Sequence, residues 1–149
     1  MEVKGFEEIR AEFMRRVTQD VYCTLATVDR KNRPRSRIVH PIWDDHIGWL
    51  ISWPASHKAK HLAHNPAVSL AYMAEIEKPV YVDAIAEWVD ERGEKERIWK
   101  LHQTLPSPLG FDPQPHYGSL DHPYYGLLRF TPWRIELATL HGEPLVWRP

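Results

Sequence analysis

The only four lysines and arginines between positions 35 and 60 have the types and spacing of a phosphate site. Arg35 and Arg37 alternate along a run that ends in β-branched residues, so their side chains lie on one face of a strand. Lys58 and Lys60 follow Ser56, which is a favoured N-cap residue. A helix N-terminus carries free N–H groups and a partial positive charge, and it therefore attracts anions. The pattern predicts a cradle in which the four cations converge on one phosphate.

A hairpin and a short helix must hold these cations in place. Two runs rich in β-branched and aromatic residues, 38–43 and 47–53, flank the polar tripeptide 44–46, which is the composition of a hairpin. Segment 57–64 favours a helix, which Asn65-Pro66 ends. The cradle is therefore expected where the second run leads into this helix.

Three histidines share one face of the same helix, at positions 57, 61 and 64. The first two have the spacing of a zinc-binding pair. No Glu lies between them, however, and no third carboxylate or set of cysteines is near. We interpret all three as residues of the polar helix face. For His40, the sequence leaves open whether its side chain faces the site or the core.

The remaining segments predict a small barrel. Residues 5–18 place apolar side chains at helical spacing, and residues 91–104 form a second, charged helix. Strands are predicted at 21–28, 67–73, 80–90, 125–130 and 134–140, in addition to those already named. Short turns between most strands favour a mainly β fold, an antiparallel sheet closed into a barrel, over a doubly wound parallel sheet. Segment 106–123 contains five prolines and is predicted to be an irregular functional loop.

Size and composition set broader expectations. A chain of 149 residues is expected to form one domain, residues 1–149. The net charge of −1 gives no reason to expect nucleic acid or an anionic membrane as a partner. Cys23 is the only cysteine, and no apolar run has the length of a signal or membrane span. These features predict a cytoplasmic protein.

Several motifs together resemble one protein family. They are Arg-x-Arg at 35–37, an apolar strand ending in Ser52, Ser-x-Lys at 56–58 and Asn-Pro-x-Val-Ser-Leu at 65–70, with weaker matches at 24–29, 81–89 and 131–137. This order resembles the pyridoxamine 5′-phosphate oxidase-like flavoproteins. The resemblance implies a split β-barrel of six or seven antiparallel strands with peripheral helices. It also implies a homodimer with FMN at the subunit interface and an oxidoreductase that transfers hydride.

The resemblance also implies which residues contact FMN. Arg37, Ser56 and Lys58 match the phosphate-binding positions, and Ser52 matches a hydroxyl residue that faces the ring. The full set of expected cofactor contacts is Arg35, Arg37, Ile38, Val39, Ser52, Ser56, His57, Lys58, Trp133 and Arg134. Trp133 and Arg134 are expected to reach the flavin of the partner subunit. No residue stands out as a general acid or base.

Two departures from the family pattern concern the substrate. The vitamin oxidases carry Arg-x-His near the C-terminus, but Thr139 stands two positions before His141 here. Ile42 lies near the place where a lysine is expected after Arg37. We therefore do not expect pyridoxine phosphate to be the substrate. Two alternatives stay open: a deazaflavin-dependent reductase of the same fold, and a non-catalytic protein that binds flavin or haem.

Overall fold

The computed structural model describes all residues from Met1 to Pro149. Nine strands and four α-helices follow one another along the chain, with a 3-10 turn at Phe6–Glu8 between the first strand and the first α-helix. In order they are β1 (Glu2–Val3), α1 (Arg10–Gln19), β2 (Cys23–Val28), β3 (Pro34–Val39), β4 (Ile42–Asp44), β5 (Ile47–Ser52), α2 (His57–His64), β6 (Ala67–Tyr72), β7 (Val80–Trp88), α3 (Arg92–Thr104), α4 (Gln114–Tyr117), β8 (Gly126–Leu137) and β9 (Leu145–Trp147).

All nine strands belong to one sheet, whose main path runs β1-β9-β8-β7-β6-β2-β3. Every pair is antiparallel except β1 with β9. The long strand β8 pairs with β7 along most of its length, while β5 pairs with its first half and β9 with its last residues. This arrangement confirms the predicted mainly β class and the barrel with peripheral helices.

The core is filled by the apolar face of α1 and the inward side chains of the strands. Phe13 and Val17 are fully buried, and Phe6 and Ile9 are nearly so, as the helical spacing predicts. The Phe13 ring meets Trp43 edge-on at 5.0 Å. A smaller apolar cluster under α3 is made of Ile42, Trp49, Val89, Ile98 and Leu127.

The barrel is open between β3 and β5, and this opening positions the site. Strand β3 pairs only with β2, and β5 pairs only with β4 and β8, so no ladder joins β3 to β5. Their unpaired edges leave backbone N–H and C=O groups free to bind a ligand. Helix α2 begins five residues after β5 ends, beside the opening.

Three local predictions need correction, and two strands were not predicted. Residues 38–43 are not one strand, because His40-Pro41 separate β3 from β4 and Pro41 has no N–H for a ladder. Segments 125–130 and 134–140 are not two strands: β8 runs unbroken from Gly126 to Leu137, because a bulge at Trp133 carries the pairing past Pro132. The loop at 106–123 contains the one-turn helix α4. Strands β1 and β9 are too short to show alternation in the sequence.

None of the helices combines the length and the apolar character that a membrane span needs.

Candidate cofactor site

The N-terminus of α2 holds Lys58 in an unusual position for a lysine. Ser56 caps the helix, with its hydroxyl accepting from the N–H of Ala59 at 3.3 Å. The Lys58 ammonium donates to Ser52 Oγ at 2.6 Å and lies 3.4 Å from Ser56 Oγ. No carboxylate pairs with it, since it takes part in none of the ion pairs of the chain. Burial, and then the nearby Arg37, lower the pKa of Lys58.

Arg37 is the second cation of the cradle, and side chains of β2 and α2 fix its position. Its Nη1 donates to Thr27 Oγ1 at 2.7 Å and to the carbonyl oxygen of Leu25 at 3.1 Å. The Thr27 hydroxyl is also 2.8 Å from His61 Nδ1. Because the Thr27 oxygen accepts from Arg37, its own proton is free to go to His61. Arg37 has no carboxylate partner, and burial lowers its pKa.

His61 therefore contradicts the prediction of a polar helix face. Its side chain is buried against Thr27 and Arg37, whereas His57 and His64 are exposed. Burial, and then the charges of Arg37 and Arg35, lower the pKa of His61. A neutral imidazole can accept from Thr27 and keep Arg37 in place without adding a positive charge.

A cavity of 280 Å³ lies in the opening between β3 and β5. Its lining combines one ammonium with apolar and aromatic side chains: Ile38, Val39, His40, Leu50, Ile51, Lys58, His102, Phe111 and Tyr117. The two strands provide the apolar walls, and Lys58 is the only Lys or Arg in the lining. This composition suits a flat apolar ring system that carries an anionic group at one end.

The proline-rich segment and α3 close the other side of this cavity. His102 is almost fully buried, packs against Phe111 with 5.3 Å between ring centres, and holds its Nδ1 2.9 Å from the Ile98 carbonyl oxygen. His40 reaches the carbonyl oxygen of Leu109 through Nε2 at 2.9 Å. Both imidazoles thus bond a carbonyl with one ring nitrogen, and burial lowers both pKa values. The open question about His40 is settled, because its side chain lines the cavity.

The four predicted cations do not converge on one point. Arg35 and Lys60, together with His57, line a separate cavity on the outer side of α2. Lys60 comes two residues after Lys58, and successive residues of a helix are about 100° apart, so the two lysines face opposite sides. The structure thus groups Lys58 with Arg37, and Arg35 with Lys60.

Trp133 and Arg134 lie apart from the cavity in the same subunit. Trp133 is half-exposed at the bulge of β8. Arg134 is paired with Asp83 at 3.2 Å and, more closely, with Glu136. Two carboxylates already offset the charge of this arginine. The expected contact of both residues with a partner's flavin stays a prediction.

The sequence did not predict five of the residues that the structure places at the site: Thr27, His61, His102, Phe111 and Tyr117. Thr27 and His61 belong to the site only because β3 pairs with β2 and α2 packs against β2. The other three come from α3 and the proline-rich segment, far from the cradle in sequence. The unusual length of that segment indicates a functional loop, but it does not indicate which of its residues contribute to the site.

Comparison with known proteins bears on the family and the fold of the chain. The family model of pyridoxamine 5′-phosphate oxidase matches residues 9–135. No curated protein matches the sequence. A protein from Clostridium acetobutylicum related to general stress protein 26 of B. subtilis superposes with a TM-score of 0.73 at 16% identity, covering 95% of each chain.

Two further solved structures differ in what they bind. A pyridoxamine 5′-phosphate oxidase-related, FMN-binding protein from Nostoc punctiforme has a TM-score of 0.65 at 16% identity, over 91% of this chain and 87% of its own. HutZ, the haem storage protein of Vibrio cholerae, has a TM-score of 0.66 at 19% identity, over 87% of this chain and 94% of its own. These likenesses identify the fold as a split β-barrel. The chain belongs to the pyridoxamine 5′-phosphate oxidase family.

Proposed function

We propose that this protein is an FMN-binding oxidoreductase that transfers hydride to or from a small molecule. One observation carries the proposal: Lys58 and Arg37, both partly buried and without carboxylate partners, stand beside an apolar cavity. Such charges are costly to bury unless an anion compensates them. A flavin mononucleotide has an apolar ring and a phosphate, and it would satisfy both features at once.

The side chains have distinct roles in this proposal. Ser56, Lys58 and Arg37 hold the phosphate, with the free N–H groups of the α2 N-terminus. Ile38 and Val39 on β3, and Leu50 and Ile51 on β5, pack against the ring. Ser52 orients Lys58 through its hydroxyl. When bound, FMN itself supplies the hydride or electron transfer, and the protein supplies position and electrostatics.

The substrate is proposed to be a small molecule other than pyridoxine phosphate. Ile42 is completely buried in the cluster under α3, so its side chain cannot contact a ligand. His141 is exposed and lies 3.5 Å from Glu77, on a turn outside the cavity. Neither position of the vitamin-oxidase pattern therefore contributes a cation to the cavity.

We also propose a homodimer with the cofactor at its interface, in the cytoplasm. Ile38 lines the cavity yet is 63% exposed, and the ring pair of Tyr124 with Trp53, the residue after β5, is about half-exposed. An apolar surface of this kind beside a ligand site is typical of a subunit contact. The buried, unpaired Cys23 suits a reducing compartment. Light scattering coupled to size exclusion tests the dimer, and a monomer at micromolar concentration would contradict it.

Haem is the second candidate ligand. Two similar structures are a haem-binding protein from Mycobacterium smegmatis and a haem storage protein. His40 and His102 both line the cavity, and imidazole is a common axial ligand of haem iron. A haem protein of this kind would bind without catalysing hydride transfer.

Visible absorption of the purified full-length chain separates these candidates. The protein is titrated with FMN, the deazaflavin coenzyme and haem, using wild type, Lys58→Ala and the matched control Lys100→Ala, which removes an exposed lysine of α3. We expect saturable FMN binding that Lys58→Ala weakens by about 1.5–3 kcal/mol, the value of a charge-assisted hydrogen bond. Lys100→Ala should bind like wild type. Binding of deazaflavin alone would indicate the alternative reductase, and a Soret band without FMN binding would indicate the haem protein.

A further inference from the structure

A second cavity, of 260 Å³, lies between α2 and the turn that joins β2 to β3. Its lining contains no apolar side chain and is made of Asp29, Arg30, Lys31, Arg33, Arg35, His57, Lys60 and His61. Five lysines and arginines therefore face a single carboxylate, in a chain whose net charge is −1. So strong a local excess of positive charge attracts anions.

The one carboxylate does not neutralise this excess. Asp29 is buried and accepts from the N–H groups of Lys31 at 2.9 Å and Arg33 at 3.0 Å. Its other oxygen accepts from Arg33 Nε at 2.9 Å, and the nearest atom of Arg35 is 3.7 Å away. These bonds, with the Arg33 N–H first, lower the pKa of Asp29 to about 2. Asp29 thus holds the turn together, while Arg30, Lys31 and Lys60 have no carboxylate partner.

Side-chain hydrogen bonds join the two walls of this cavity, which are α2 and the turn between β2 and β3. Asn32, at the tip of the turn, has a φ of 60° and places its Oδ1 3.0 Å from Nε2 of His64 on α2. On the inner side, Thr27 joins β2 to His61. The cations are therefore presented by two elements held at a fixed distance, which lowers the entropic cost of binding an anion.

The cavity adjoins the cradle at His61, which stands between the two groups of cations. His61 lines its inner wall, and the same imidazole lies 3.4 Å from Arg37 Nη2. On the outer side, Arg30 and Lys60 also line a further cavity of 550 Å³, with Ala63 and His64. A cationic path thus leads from Arg37, past His61, to open space along α2.

We propose that this path binds the second phosphate of a diphosphate-linked flavin, so that FAD binds more tightly than FMN. The inference rests on the proposed function, in which the first phosphate occupies the cradle at Ser56, Lys58 and Arg37. The second phosphate then lies among Arg30, Arg35 and Lys60, and the outer cavity has room for the nucleoside. A mononucleotide has no group that can reach these cations.

Fluorescence titration of the full-length chain with FMN and with FAD, at one fixed ionic strength, tests the proposal. We expect wild type to bind FAD about tenfold more tightly than FMN, the effect of one additional charge-assisted contact. The double variant Arg30→Gln/Lys60→Gln should lose this preference while keeping FMN affinity within about twofold, since it leaves the cradle intact. Lys100→Gln, an exposed lysine with no ion pair, serves as the control and should keep the preference.

Other outcomes overturn the inference in distinguishable ways. Equal affinity of wild type for FMN and FAD removes the need for a second phosphate site and leaves the proposed function intact. An equal loss of both ligands in the double variant would mean that the cavity binds the phosphate of FMN itself. Failure of wild type to bind either flavin would overturn both the proposed function and this inference.

Discussion

The ammonium nitrogen of Lys58 lies 2.6 Å from the hydroxyl oxygen of Ser52, and this is its shortest polar contact. A neutral hydroxyl offsets only part of the cost of burying a charge. Burial, and then repulsion from the neighbouring charge of Arg37, lower the pKa of Lys58 below its ordinary value. The ligand-free protein therefore maintains a site that is electrostatically unfavourable until an anion enters.

Replacing Lys58 with Met should stabilise the ligand-free protein while it weakens the binding of FMN. The depressed pKa means that the protonated form is disfavoured in the folded state, so a neutral side chain of similar length removes a cost. We expect the free energy of unfolding to rise by about 1 kcal/mol, at the low end for replacement of buried charges. Urea denaturation without ligand measures this change.

The matched control is Lys100→Met, which replaces an exposed lysine on α3. Its free energy of unfolding should stay within about 0.5 kcal/mol of wild type, as for most surface changes. A loss of stability in Lys58→Met would show that the Ser52 contact outweighs the cost of burial, and would remove the electrostatic argument for an anion.

Thr27→Val tests whether the Thr27 hydroxyl positions Arg37. Valine keeps the shape of threonine but removes the oxygen that accepts from Arg37 and contacts His61. The buried imidazole then keeps only the longer contact of its Nδ1 with Arg37 Nη2, at 3.4 Å, so we expect a loss of about 1–3 kcal/mol in the free energy of unfolding. FMN affinity should also fall, by about three- to tenfold, because Arg37 loses the shorter of its two Nη1 hydrogen bonds and keeps only the bond to the Leu25 carbonyl.

Thr24→Val is the control for this change. Thr24 lies on the same strand but is exposed, and its hydroxyl makes no hydrogen bond. We expect little change in stability or affinity. If Thr27→Val lowered stability but left FMN affinity as in wild type, Thr27 would have a structural role only.

Local patterns in the sequence predicted much of the fold, because they are set by neighbours along the chain. The N-cap at Ser56, the apolar face of α1 and most strand positions follow from propensity and periodicity. The separation of Lys58 from Lys60 also follows from helix geometry, so the predicted convergence of all four cations on one phosphate is wrong for a local reason. The contacts of His61 and His102 depend on which elements meet in space, and the burial of these residues has no local signature.

Mild acid should destabilise the protein through its buried histidines. Burial lowers the pKa of His40, His61 and His102 below the ordinary 6.5. As the pH falls through 6.5, the unfolded chain binds protons that the folded chain does not, so the free energy of unfolding decreases. Each such group contributes a slope of up to about 1.4 kcal/mol per pH unit. The buried carboxylate Asp29, with its pKa of about 2, has the same sign but acts below about pH 4.

Urea denaturation at about pH 7 and about pH 5.5 measures the histidine contribution before carboxylates titrate. His102→Asn keeps a side-chain N–H near the Ile98 carbonyl but removes the titratable ring, so the loss of stability between the two pH values should be smaller than in wild type. His141→Asn, at an exposed position, should not change that loss. An unchanged pH dependence in His102→Asn would show that His102 is not among the responsible groups.

Gly110→Ala should disturb the wall of the cavity, although Gly110 itself does not line it. A Cβ at this position would lie 2.3 Å from the carbonyl oxygen of Leu105 and 2.4 Å from that of His102, both of which are backbone atoms and cannot turn aside. The N–H of Phe111 donates to the same His102 carbonyl at 3.0 Å, so a shift of this turn also displaces Phe111, which lines the cavity. We expect a loss of about 1–3 kcal/mol in the free energy of unfolding, as for overpacked sites.

Gly142→Ala is the comparison, because its nearest contact would be 3.7 Å from Thr139, an ordinary van der Waals distance. FMN titration of both variants then distinguishes two roles of the proline-rich segment. If the segment covers the flavin ring, Gly110→Ala should weaken FMN binding, whereas Gly142→Ala and the surface control Lys100→Ala should bind FMN like wild type. The loss in Gly110→Ala should be equal for FMN and riboflavin, because the phosphate contacts remain. A loss confined to FMN would instead place the disturbance at the phosphate and contradict this role, because the hydrogen bonds of Lys58 go to Ser52 and Ser56 and not to the proline-rich segment.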